Sequence, residues 1–276
     1  MAVKPTDSSA VFFGLRPESR FFSLETRTPA SPDALAAVRE YLHSGGLKPA
    51  SMIRIDTQTI VLDLSIGSEA LGQRLTNLTV ERFGQLVDQV MAAAGTEFAF
   101  GRWGEPRELY SSELFDNDAG ERVEPRVVHM GIDVFCKAGT PVYAPLDGRI
   151  HIKANNKAEL DYGPMLVLEH ETTNDEVFYS LYGHLSLAGV SHVDEGQTVS
   201  AGERIATVGS PPENGNWPPH LHFQLILDLL DLGADFPGVS LHSEQDKWLE
   251  LSPFPAMFFP ECDRQLLDGR KPAARL

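Results

Sequence analysis

Residues 218–227 read PPHLHFQLIL, and the reading of this stretch decides the fold. Two prolines close a loop, and residues 220–227 then have the apolar character of a strand. On a strand, residues i and i+2 point to the same face, so His220 and His222 project side by side. Moving outward, the chain keeps this texture from Val127 onward. Short runs rich in Val, Ile, Leu and Tyr occur at 142–143, 148–152, 165–170, 177–182 and 204–208, punctuated by Gly and Pro. That spacing predicts an all-β sandwich or barrel.

Four of the nine histidines fall into three short motifs within this β region. VVHMGIDVF holds His129 and Asp133, LYGHLS holds His184, and PPHLHFQL holds His220 and His222. His129 and Asp133 share a face if their segment stays extended, since i and i+4 do. Two adjacent strands then offer imidazole, carboxylate and imidazole at one point. Zinc takes His nitrogen and carboxylate oxygen at about 2.0–2.2 Å, and three protein ligands with an open position mark a catalytic site. Two further histidines nearby can take a proton from a water and stabilise charge on a substrate.

Each motif also has a plainer explanation. A lone HxH or HxxxD is weak, because histidines occur on exposed strands without function. Asp133 between Ile132 and Val134 is more telling, since a carboxylate in an apolar strand must be paired or metal-bound. His43, His151, His170, His192 and His242 have no such company and read as surface or core residues. Cys136 reads as a buried thiol. Tyr182, two residues before His184, is either an added donor or core packing.

The first hundred residues differ. Ser31-Pro32 opens a helix, with Ser as cap and Pro in the first turn. Leu35, Val38, Tyr41 and Leu42 recur at helical spacing until Gly45-Gly46. Residues 52–55 and 59–64 read as two strands, 79–94 as a second helix, and 97–103 as another strand. With 20–24 as a first strand, the order matches a split βαββαβ motif. No ionisable cluster stands out here. The polar stretch 105–124 reads as loop, and 263–276, poor in apolar residues, as a frayed tail.

The chain has 276 residues and a net charge of −16. That charge argues against nucleic acid or an anionic membrane surface as partner, and fits poorly with a strongly anionic polymer substrate. Cys136 and Cys262 make no disulfide framework and read as free thiols. No apolar run reaches the roughly 20 residues of a membrane span. The first residues carry no export signal, which leads to the expectation of a cytoplasmic protein.

HMGIDVF, AGTPVYAPLDGRI, YGHLS, VDEGQTVSAGERIATVG and PPHLHFQL together resemble the M23 family of zinc metallopeptidases, the LytM or lysostaphin-type domain, over residues 124–228. The resemblance implies a mainly β catalytic domain, an antiparallel β-sheet groove closed by loops, here preceded by a smaller α+β domain. The corresponding boundaries are 1–105, 106–260 and a flexible tail 261–276. It implies zinc held by His129, Asp133 and His222, with His184 and His220 as catalytic histidines. It also implies peptide cross-links of bacterial cell wall as substrate, with the loop 210–219 and its Trp217 walling the groove. Family members are usually exported, which this chain's start does not suggest. A weaker resemblance, of 235–240 and 248–258 to M23-like segments fused to aminotransferases and phosphotransferases, implies a small intracellular peptide or amide instead.

Two other function classes stand beside this one. A biotinyl or lipoyl carrier shares the texture of 142–148 and 194–209, but needs an exposed lysine on a hairpin, and Lys153 and Lys157 lack that setting. A non-catalytic relative could use the groove to hold a partner, but such proteins have no need of His184 and His220.

Overall fold

The computed structural model describes residues 24, 27, 29–76, 78–110 and 125–271. In chain order come α1 (Pro32–His43), β1 (Thr59–Leu62), α2 (Val80–Ala93), β2 (Phe98–Gly101), β3 (Glu105–Pro106), β4 (Arg126–His129) and β5 (Ile132–Phe135). Then follow β6 (Pro141–Tyr143), β7 (Gly148–Asn156), β8 (Gly163–Glu171), β9 (Val177–Gly183) and the short helix α3 (Leu187–Val190). The chain continues with β10 (Thr198–Val199), β11 (Arg204–Thr207), β12 (His220–Ile226), β13 (Val239–Leu241), α4 (Gln245–Leu251) and α5 (Arg264–Leu267).

Eight strands form the main sheet, in the order β1-β2-β5-β12-β9-β8-β7-β10. All its pairings are antiparallel except β1 with β2. Smaller sheets are β11-β6 and β13-β4-β3. Strand β12 is central, and every one of its residues is buried. Its two faces do different work. Leu221 and Phe223 face the core, where Phe223 packs on Phe258 and Phe259 at ring separations of 5.3 and 5.7 Å. The intervening His220, His222 and Gln224 fall on the other face.

The helices follow their local signals. Ser31 Oγ accepts from the Ala34 amide and Pro32 begins α1. Thr79 Oγ1 accepts from the Arg82 amide at the start of α2, whose Phe83, Leu86, Val87 and Met91 are buried. These caps satisfy amides that a helix start leaves without partners.

The expected βαββαβ motif is not formed. Residues 52–55 make no strand: Met52 and Ile53 are buried, and the Met52 carbonyl accepts from the Tyr143 amide at 2.9 Å. Residues 20–23 lie outside the described ones, as do 111–124 of the expected loop. What stands is β1-α2-β2, two parallel strands joined through a helix, as parallel pairs require. Moreover β2 hydrogen-bonds β5, with Gly101 opposite Asp133. The sheet therefore runs across the boundary expected at residue 105.

The tail expected to be flexible from 261 is packed as far as Lys271. Leu267 is fully buried, its carbonyl accepts from the Trp103 amide, and the Gly269 amide donates to the Trp103 carbonyl. The Arg270 guanidinium lies 4.5 Å over the Trp103 ring. Backbone pairing and one cation–π contact do here what apolar content would otherwise do.

Candidate active site

His129 and Asp133 do not share one strand. Four residues of strand span about 13 Å at roughly 3.3 Å each, too far for both side chains to meet. The chain breaks at Met130-Gly131 instead, placing His129 at the end of β4 and Asp133 in β5, in different sheets. Gly131 makes the break possible, because a Cβ there would lie 2.6 Å from both His222 Cε1 and the Phe223 carbonyl. On the neighbouring strand His222 is directly opposite Asp133.

Three atoms thereby converge. His129 Nε2 lies 3.0 Å from His222 Nδ1, and Asp133 Oδ1 lies 3.1 Å from each of them. Their outer partners fix the state of both rings. His129 Nδ1 donates to the Arg102 carbonyl at 2.9 Å, so Nε2 carries the lone pair. His222 Nε2 donates to Gln224 Oε1 at 3.0 Å, which in the neutral ring leaves the lone pair on Nδ1. The orientation of the Gln224 amide follows in turn from its Nε2, which donates to Ser252 Oγ and the Pro237 carbonyl.

Two imidazole lone pairs and a carboxylate oxygen thus face one another in a buried site, with no donor among them. Such a set repels itself unless a cation sits between. Its sides approach the roughly 3.3 Å donor spacing of a tetrahedral zinc with bonds of about 2.0–2.1 Å. The three residues are the group that can hold a metal among the described residues, and a zinc ion fits them.

His184 and His220 stand beside this group, their rings 4.3 Å apart. His220 Nδ1 donates to the Pro218 carbonyl at 2.7 Å and His184 Nδ1 to the Asn214 carbonyl at 2.9 Å. In both, Nε2 is left as the acceptor, and that of His220 lies 3.8 Å from Asp133 Oδ1. His184 follows β9 with φ of +61°, a conformation uncommon outside glycine. Its amide donates to the Tyr162 carbonyl and its carbonyl accepts from Gly209, which holds it there.

Burial sets the electrostatics. It keeps the His184 and His220 imidazoles neutral, with pKa values below the usual histidine range. His129 is pushed down to about 4, by burial first and by the Arg107 charge second. Burial alone would raise the Asp133 carboxyl, but His129 and Arg107 outweigh it and hold the group well below the usual carboxylate range.

All five expected residues line one cavity, together with Tyr110, Tyr162, Trp217 and Phe236. Trp217 belongs to the loop expected to wall the groove, and its Nε1 donates to the Leu160 carbonyl at 3.0 Å. Tyr182 is core: fully buried, with its hydroxyl on Ser180 Oγ. The tyrosines at the site are Tyr110 and Tyr162, the latter with its ring centre 5.5 Å from that of His222.

Sequence reasoning passed over Gln224 and an entire ion network. Arg107 Nη1 lies 2.6 Å from Asp133 Oδ2, Glu105 bridges Arg107 and Arg102, and Arg102 reaches Asp63. Of this network only Asp63 lies in the first hundred residues, and Arg102, Glu105 and Arg107 follow just after them. Gln224 had a signal, because HLHFQ places it on the face of both histidines. The arginines had only the alternating charges of GRWGEPREL.

The chain is similar to proteins of one peptidase family. The sequence model of Peptidase family M23 matches residues 127–230. A protein of Haemophilus influenzae described as an uncharacterized metalloprotease is 29% identical over 63% of this chain and 38% of its own length. Peptidoglycan DD-endopeptidase ShyA of Vibrio cholerae is 33% identical over 47% of this chain and 27% of its own. Murein hydrolase activator NlpD of Salmonella dublin is 35% identical over 34% of this chain and 22% of its own. The chain thus covers well under half the length of these relatives.

Proposed function

We infer, from the premise that residues 127–230 form a domain of Peptidase family M23, that the protein is a zinc-dependent metalloendopeptidase. In this reading His129, Asp133 and His222 hold the metal, and His184 and His220 move protons. One observation carries it. Four buried imidazoles each spend one nitrogen as donor to an outer acceptor, leaving the other as a lone pair in a cavity they share with a carboxylate.

When bound, zinc polarises a carbonyl and lowers the pKa of a water. The protein's own groups do the rest. His184 and His220 accept a proton at Nε2, and once protonated they donate from the same atom to an oxyanion or a leaving amine. The carbonyls of Pro218 and Asn214 keep both rings aimed.

The substrate class we propose is a peptide cross-link of peptidoglycan, supported by the name of the Vibrio cholerae relative. The cavity suits a peptide, since the aromatic rings of Tyr162 and Trp217 and the polar Arg126, Asp161 and Asp235 line it together.

The test is metal analysis of the protein and of the His129→Ala/Asp133→Ala variant, alongside amine release from purified muropeptides. About one zinc per chain, lost in the double variant, is expected. His184→Ala should keep its zinc and lose roughly 10²–10⁴-fold in kcat. Zinc without hydrolysis of any muropeptide would replace this reading with a partner-binding one, as the word activator in the Salmonella relative's name suggests for that protein.

A further inference from the structure

The two carboxylate oxygens of Asp133 have different partners. Oδ1 faces His129 and His222 at 3.1 Å, whereas Oδ2 lies 2.6 Å from Arg107 Nη1. Arg107 is outside residues 127–230, the stretch the family model matches. It is also firmly held. Its Nε donates to Glu105 Oε2 at 2.8 Å and its Nη2 to the Arg102 carbonyl at 3.3 Å. That same carbonyl accepts from His129 Nδ1, so one oxygen aligns both the guanidinium and a proposed metal ligand. Glu105, fully buried, is fixed by Arg102, whose Nε donates to Oε1 at 2.7 Å.

The backbone has made room for this pair. Gly101 stands directly opposite Asp133 in the β2–β5 ladder. A Cβ at Gly101 would lie 2.7 Å from Arg107 Nη2 and 3.0 Å from Asp133 Oδ2. A side chain there would crowd both the guanidinium and the carboxylate.

We propose that Arg107 is a positioning residue that occupies Asp133 Oδ2, so that the carboxylate can offer a metal one oxygen only. The proposal rests on the zinc reading above. A charge-assisted hydrogen bond to a guanidinium is among the strongest a carboxylate makes. With Oδ2 so engaged, the protein contributes three donor atoms and not four, the number that distinguishes an open catalytic site from a closed structural one. A purely structural ion pair would stabilise the fold without affecting how many Asp133 oxygens the metal takes.

Cobalt(II) reports that number, because its visible bands are more intense in four-coordinate than in higher-coordinate sites. The full chain is loaded with cobalt as wild type, Arg107→Met, Arg107→Lys and Gly101→Ala. Wild type is expected to bind one cobalt with intense bands. Arg107→Met should still bind it, with bands weakened and shifted as Oδ2 joins, and Arg107→Lys should restore most of the intensity. A folded Arg107→Met protein with the wild-type spectrum overturns the proposal. If Arg107→Met does not fold, Gly101→Ala makes the same test with every charge retained, and an unchanged spectrum there overturns it equally. Failure of the wild type to bind cobalt or zinc overturns the metal reading itself.

Discussion

Gln224 shows how much of a site lies one residue behind the residues that touch the ligand. It accepts from His222 Nε2 and is itself held by Ser252 and Pro237. Gln224→Leu keeps the volume and removes the acceptor, leaving a buried N–H without a partner. Residues behind metal ligands typically contribute 10- to 100-fold in affinity, so a loss of about that size is expected. Competition with a chromophoric chelator measures it, and Gln224→Glu, which keeps an acceptor, should lose less. Equal affinities for Gln224→Leu and wild type would mean that β12 alone fixes the ring. At this scale the sequence was partly legible. His129, Asp133, His184, His220 and His222 stand out because their motifs are short and local. Arg107 does not, because its meaning depends on Asp133, 26 residues away, and on Gly101 across a ladder.

Elements were legible where their causes are local. Helices α1 and α2 begin one residue after the Ser31 and Thr79 that cap them, and end at the glycines or small residues that stop them. The strands β7, β8, β9 and β12 fall where apolar runs and turn residues placed them. The break between β4 and β5 was not legible, since nothing in VVHMGIDVF marks two sheets apart from one glycine that also fits a bulge. Residues 52–55 have a strand's composition, yet their backbone serves Tyr143 and no ladder. Local cause also gives a quantitative expectation. Thr79 caps the helix whose Phe83 packs edge-on against Phe135, the ring stacked on His220. Thr79→Ala should lower stability by about 1 kcal/mol, the usual cost of a lost cap. Urea unfolding is expected to show a lower midpoint with an unchanged slope, and a changed slope would mean that α2 unfolds apart from the sheet.

For the molecule as a whole, the concentration of buried neutral imidazole makes stability depend on pH in one direction. Burial lowers the pKa of His129, His184 and His220, and also of His170, which does not line the site cavity and has Nδ1 on the Asp147 carbonyl. In the unfolded chain each titrates near 6.5. Above that value neither state holds a proton on these rings, and their contribution is complete. Below it the unfolded chain takes up protons that the folded chain refuses, so stability falls as pH drops through the folded pKa values. Each such histidine weakens the fold progressively through that window, which for His129 extends down to about 4. Asp133 adds a second, more acidic window. Its folded pKa lies below the unfolded carboxylate value of about 3.9, so its contribution persists above that value and is lost beneath it. The metal-free protein should therefore show a denaturant midpoint that is level from pH 8 to about 6.5 and falls steeply between 6.5 and 4. A zinc-loaded sample should lie higher throughout and fall in the same direction, because its ligands must be deprotonated to bind. A midpoint level down to pH 4 would mean that the folded protein takes up protons on these rings as readily as the unfolded chain does. His170→Asn separates the contributions. Removing one buried imidazole outside the site should flatten the metal-free slope and leave the affinity for zinc unchanged.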